Sequence, residues 1–167
     1  MSQKDTAAPW TKKHGQSYFG YKNHISIDVE YGFIRRYQVT DASVYDSQVL
    51  RALVDVQKQG EQLWADSAYC SESIEWILQI LQFLSHIHER AYGNHPLTAK
   101  HKEDNQERSQ VRPKVEHVFA HWVNEMGGKL MGFISKQSVK ATIGVKNLVY
   151  NFKRYGFWEN QNPKAVG

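Results

Sequence analysis

A single cysteine, Cys70, stands among 167 residues, which excludes an internal disulfide and any zinc site built on several thiolates. No apolar stretch approaches the roughly 20 residues that span a bilayer. The polar N-terminus lacks the apolar core of a signal peptide. The expectation is a chain with no membrane partner and a cytoplasmic location. Internal repeats, low-complexity tracts and a clear linker are missing too, and there is no Gly-rich loop to cradle a nucleotide phosphate.

What is present supports a folded α/β protein. Hydrophobic residues make up 41% of the chain and aromatics 13%, enough to bury a substantial core in one domain. Net charge is +4, a weak pointer to a polyanionic partner. Its distribution says more: residues 61–100 carry two Lys/Arg against five Asp/Glu, and residues 101–167 carry 11 against six. The basic surface belongs to the C-terminal third. Lys136, Lys140, Lys146, Lys153 and Arg154 are candidates to contact phosphates, and a solvated helix face is the plain alternative.

Residues 20–28 alternate, with His24, Ser26 and Asp28 on one side and Ile25 and Ile27 on the other, as a strand does. Tyr31-Gly32 marks a turn, and residues 33–39 return as the second strand of a hairpin. Asp46 precedes a helical run over residues 47–58 and reads as its N-cap. Residues 63–65 form a short buried strand that delivers Asp66. A helix over residues 73–81 and a strand over residues 83–87 follow. The polar residues 90–110, with Gly93, Asn94 and Pro96, read as a mobile loop. Pro113 suits the first turn of the next helix, whose stripe is Val115, Val118, Phe119, Trp122 and Met126, ended by Gly127-Gly128. The last helix is expected over residues 136–155, with Val139, Ile143, Leu148 and Phe152 as its packing face.

Two carboxylates stand out. Asp66 ends the strand of the run QLWAD, and Glu116 sits beside the apolar stripe of VRPKVEHVF. Hard oxygen ligands from separate elements are what a Mg²⁺ ion needs for phosphodiester chemistry, because the ion must keep positions open for phosphate and water. The plainer readings are a turn-forming Asp66 and an ion pair between Glu116 and Arg112, four residues earlier on the same flank. His117 and His121 share a helix face, but the zinc hydrolase pattern places its Glu after the first His, and here Glu116 precedes it. His86 and His88 share a strand face without an evident third ligand.

The strings WTKKHGQSYFGYKNHISID (residues 10–28), IRRYQVTDASVYDSQ (34–48), LWADSAY (63–69), VRPKVEHVF (111–119), MGGKL (126–130) and IGVKNLVYN (143–151) occur in an order and spacing that resemble the bacterial insertion-sequence transposases of the Asp-Asp-Glu class, in particular the insertion sequence 5 family. The resemblance implies a ribonuclease-H-like fold with a mixed sheet flanked by helices, and a site of three carboxylates. Asp66 and Glu116 fall at the second Asp and the Glu, as catalytic and metal-holding residues. Of the family's helix signature Arg112 and Glu116 are present, with Ser109 in the Tyr position and Val123 in the Lys position. The first Asp of the family lies on a strand upstream of the region matching Trp10. Here only nine residues precede Trp10, with Asp5 their sole acid. The expectation is an N-terminally truncated copy that lacks the first central strand and its carboxylate and cannot transpose DNA alone; Asp28, which ends a neighbouring strand, is the only internal substitute the sequence offers and is not the expected ligand.

The organisation expected is a poorly ordered segment over residues 1–9, a catalytic domain over 10–155 and a tail over 156–167. The resemblance implies Mg²⁺ or Mn²⁺ for a complete site, and double-stranded DNA as partner, both transposon ends and target. Arg112, Lys136, Lys140, Lys146, Lys153 and Arg154 are its expected phosphate contacts. A second copy or a full-length transposase is a further possible partner. The alternative function is a catalytically inactive fragment that binds DNA or another transposase.

Overall fold

The structure is a computed structural model that describes residues 10–13, 16–93, 95–128 and 135–162, with side chains from residue 20 onward. Asp5 and residues 1–9 lie outside the described residues. The chain divides into two compact units, residues 45–113 and the remainder on either side of them in sequence.

In the unit formed by the chain ends, strands β1 (Trp10–Lys13) and β2 (Gln16–Phe19) pair antiparallel, as do β3 (Tyr21–Ile27) and β4 (Ile34–Asp41). The expected β3–β4 hairpin is present, with Tyr21 opposite Asp41 and Ile25 opposite Tyr37. Ile25 and Ile27 pack with the core residues Ile34, Val39, Val118, Trp122, Val139, Ile143 and Tyr150. His24, on the other face of β3, is buried as well, with Nε2 2.8 Å from the Thr40 hydroxyl.

The two long helices of this unit are α4 (Arg112–Glu125) and α5 (Lys136–Gln161). Val118 and Trp122 form the buried ridge of α4, and Gly127 and Gly128, both at positive φ, end it as expected. Gly128 N–H returns to the Trp122 carbonyl at 3.1 Å. α5 is capped by the Ser135 hydroxyl and continues six residues past Tyr155, through Gln161. Its buried face is also different from the one expected: Val139, Ile143, Asn147 and Tyr150 point inward, whereas Leu148 and Phe152 are 54% and 67% exposed. The step from Ile143 to Leu148 is five residues and rotates off the helix face, whereas the steps to Asn147 and Tyr150 keep the spacing of four and three. Two asparagines at inward positions, 147 and 151, hide the stripe from an apolar count.

The second unit is a β-α-β crossover. Strands β5 (Gln62–Ala65) and β6 (Leu84–Ile87) pair in parallel, Gln62 opposite Leu84 and Ala65 opposite Ile87. Helix α2 (Glu72–Ile80), capped by Ser71, connects them. Ile74 and Leu78 pack with Leu50, Val54 and Ile87 in a separate core. The expected helix over residues 47–58 is shorter, a 3-10 turn at Asp46–Val49 followed by α1 (Leu50–Leu53), with Val54 already extended. Tyr45, not Asp46, holds the cap position, and the Gln48 side chain accepts from its N–H.

The expected loop over residues 90–110 contains a ten-residue helix, α3 (Ala99–Arg108), started by the Thr98 hydroxyl on His101 N–H. It has no apolar stripe, so periodicity could not reveal it. Polar contacts anchor it instead. Asn105 accepts from Glu89 N–H at 2.9 Å and donates to the Glu89 carbonyl at 3.0 Å, and Arg108 donates to the Ile87 carbonyl.

Candidate active site and basic helix

Asp66 follows β5 directly, at the carboxyl end of a parallel strand, which is the end where open α/β sheets bind ligands. Its side chain is exposed. Its Oδ1 accepts from Ala68 N–H at 2.9 Å and starts the 3-10 turn Ser67–Tyr69. This backbone contact sets the direction of the carboxylate. Burial pushes the Tyr69 phenol well above its ordinary value, and the charges of Asp46 and Asp66 add to the effect. Asp46 thus shares an electrostatic environment with Asp66. That relation was not legible from an isolated Asp before a helical run, and only the packing of the two 3-10 turns reveals it.

Glu116 belongs to the other unit and lies exposed in the second turn of α4. Arg112 opens the same helix and is exposed too. Exposed carboxylates are suitable hard donors for a divalent ion, although among the described residues no three His, Cys, Asp or Glu side chains form a metal-binding group.

Asp28, the only internal substitute the sequence offers for the third carboxylate, is engaged within its own hairpin turn. Oδ1 accepts from Tyr31 N–H at 2.6 Å and Gly32 N–H at 3.1 Å, and Oδ2 from Phe33 N–H at 3.1 Å. Arg35 Nε also lies 2.9 Å from Oδ2. Four donors on one carboxylate build the hairpin turn. Gly32 is required there, at φ +76° with Arg154 against the position a Cβ would take.

The histidines likewise have protein neighbours. His86 stacks on Trp64 at 5.1 Å. His117 Nδ1 lies 3.4 Å from the Tyr150 hydroxyl, and His121 Nδ1 lies 3.0 Å from Glu125 Oε1. The Lys153 ammonium beside Glu125 holds that carboxyl below its ordinary range.

The basic residues of α5 differ in what they touch. Lys136 pairs with Asp41 at 3.0 Å, and Lys153 pairs with Glu125. Lys146 donates to the Gly128 carbonyl at 3.0 Å with its ammonium 5.3 Å from the Trp122 ring centre. Arg154 donates to the Tyr31 carbonyl at 2.6 Å and lies over Phe157. Lys140 is exposed on the same helix.

The transposase DDE domain matches residues 1–152 of this chain. The chain belongs to that family. It is similar to the transposase for insertion sequence element IS1106 of Neisseria meningitidis serogroup B, 32% identical over 116 residues. That match covers 70% of this chain and 40% of the relative, so the chain corresponds to less than half of the relative's length. No solved structure matches. Among the described residues, no helix of this transposase-family chain is long and apolar enough to cross a membrane.

Proposed function

We propose that the chain cuts and joins DNA strands in transposition on a ribonuclease-H-like core, with Asp66 and Glu116 as carboxylates that hold a divalent ion, Mg²⁺ or Mn²⁺. The observation that carries this reading is the position of Asp66: exposed, at the carboxyl end of a parallel strand, and aimed by its own bond from Ala68 N–H. A carboxylate fixed before the ligand arrives loses little freedom on binding it. When bound, the ion would supply charge stabilisation at the phosphate and an activated water. Glu116 is exposed in the second turn of α4 and so is open to a ligand. Arg112, Lys136, Lys140, Lys146, Lys153 and Arg154 supply positive charge toward double-stranded DNA, the element's ends and its target.

Calorimetric titration with Mn²⁺, and incubation of the chain with duplex DNA carrying the element's ends, test the reading separately. Asp66→Ala and Glu116→Ala should each weaken Mn²⁺ binding by about tenfold or more and abolish strand cleavage. Mn²⁺ binding untouched by both substitutions removes the metal role, and DNA binding without cleavage by the parent chain removes the catalytic one.

A further inference from the structure

The polar ties that dock α3 converge on three consecutive residues. Arg108 donates to the Ile87 carbonyl, Asn105 serves both the N–H and the carbonyl of Glu89, and between them His88 N–H donates to the Ala65 carbonyl at 3.0 Å. The backbone of His88 is thus held by β5 and, through both of its neighbours, by α3. Its imidazole is half-buried and, among the described residues, makes no hydrogen bond, ion pair or ring contact. A helix without an apolar stripe therefore spends its contacts on fixing a residue whose side chain the unit itself does not use. Such fixing is what a ligand site needs, because a group held in place before binding loses little freedom on binding.

The register of β5 and β6 sets what that side chain stands beside. Leu63, Ala65 and Ile87 pack with Ile74 and Leu78 of α2, whereas Trp64 and His86, paired in register, stack on the opposite face. Asp66 is still extended, at φ −77° and ψ 174°, so alternation carries that second face one step further, to Asp66 at the end of β5 and His88 at the end of β6. We infer that His88 is a ligand, beside Asp66, of the divalent ion, an inference that rests on the reading of Asp66 as a metal-holding carboxylate. Neighbouring parallel strands stand about 4.8 Å apart, close enough for a carboxylate and an imidazole to reach one ion. Direct contact of His88 with a DNA phosphate is the poorer fit, because it sets that anion beside the Asp66 carboxylate with no cation between them. An imidazole nitrogen suits first-row transition ions, whereas Mg²⁺ is bound through oxygen. His88 therefore biases the site toward Mn²⁺ against Mg²⁺.

Pulsed electron paramagnetic resonance of Mn²⁺ added to the full, untagged chain reads the donor directly, because a bound imidazole nitrogen modulates the electron spin echo. The parent should show that modulation. His88→Ala should lose it and bind Mn²⁺ about tenfold or more weakly, with Mg²⁺ affinity little changed. His88→Asp, which supplies an oxygen donor, should bind Mn²⁺ again without the modulation and should prefer Mn²⁺ over Mg²⁺ less than the parent does. That recovery separates a lost ligand from a lost fold. His86→Gln should keep the modulation, since His86 is stacked on Trp64. Modulation that survives His88→Ala, or a parent that holds Mn²⁺ through oxygen alone, overturns the inference, and leaves Asp66 in place where Asp66→Ala still releases the ion. Mn²⁺ binding that Asp66→Ala does not weaken removes the ion from this strand end and the role of His88 with it.

Discussion

Asn151 on α5 serves the backbone of Ile34 on β4 as a neighbouring strand would. Its Oδ1 accepts from Ile34 N–H and its Nδ2 donates to the Ile34 carbonyl, both at 2.9 Å. Both backbone groups of one residue are thereby satisfied by one amide side chain, as a paired strand would satisfy them. Asn105 on α3 does the same for Glu89 in the other unit. Each unit thus ties a helix to backbone at or just past a strand end with an asparagine, in α5 alongside its apolar packing on Ile34 and Val39 and in α3 without an apolar stripe.

Replacing Asn151 with Ala removes two hydrogen bonds and leaves a backbone donor and acceptor without protein partners. The expected cost is about 2 kcal/mol, read as a lower urea midpoint with little change in its slope. Asn151→Asp keeps the acceptor and loses the donor, so it should fall between the parent and the alanine variant. Equal stability of the parent and Asn151→Ala would show that solvent serves Ile34 as well as the amide does.

Gln82 sits at φ +57° immediately after α2, a left-handed conformation that glycine tolerates better than any residue with a Cβ. Its N–H returns to the Gln79 carbonyl, and its own carbonyl accepts from Gly60 N–H at 2.8 Å. Gln82→Gly should therefore keep the turn and raise stability by about 0.5 to 1 kcal/mol. A loss of stability on thermal denaturation would show that the Gln82 side chain contributes more than its backbone strain costs.

Partial desolvation of the largely exposed His117 ring lowers its pKa, and His121 and Arg154 push it the same way, with Glu125 opposing. Below the ordinary histidine value of about 6.5 the unfolded chain takes up this proton more readily than the folded one. Stability contributed by neutral His117 is thus present above about pH 6.5 and is lost as pH falls through the lower folded value. His117→Gln should flatten the fall in stability over that acidic window. An imidazole titration by NMR that places His117 at or above the unfolded value would reverse the sign and end this account.

The hairpin of β3 and β4 and the end of β5 were legible because period-two alternation, Tyr31-Gly32 and the short run before Asp66 are local signals. The hairpin turn was legible, but the four donors that occupy Asp28 were not, because they arrive from residues 31 to 35 only once the turn has closed. α3 escaped notice because Asn105 and Arg108, not a stripe, dock it. The inward face of α5 escaped because Asn147 and Asn151 occupy core-facing positions and Leu148 and Phe152 do not. The charge relation of Asp46 to Asp66 depends on tertiary contact, which a single residue cannot announce.

The lysines of α5 should separate in function according to what they already touch. Lys146 is bonded to the Gly128 carbonyl and lies over Trp122, so Lys146→Ala should cost about 1 to 2 kcal/mol of stability. Lys140 is exposed, and Lys140→Ala should leave stability unchanged. In DNA binding the order reverses. A lysine that neutralises one phosphate contributes about one to the slope of log affinity against log salt, so Lys140→Ala should lower that slope by about one. Lys136 must give up Asp41 before it can serve a phosphate, and its substitution should change the slope by less. The triple variant at 136, 140 and 146 should show the largest loss of affinity at low salt, where counterion release is strongest. Fluorescence anisotropy over a salt series measures all four chains. A slope that does not move in Lys140→Ala, or that moves most in Lys146→Ala with no loss of stability, would show that intramolecular engagement does not decide which lysine meets DNA.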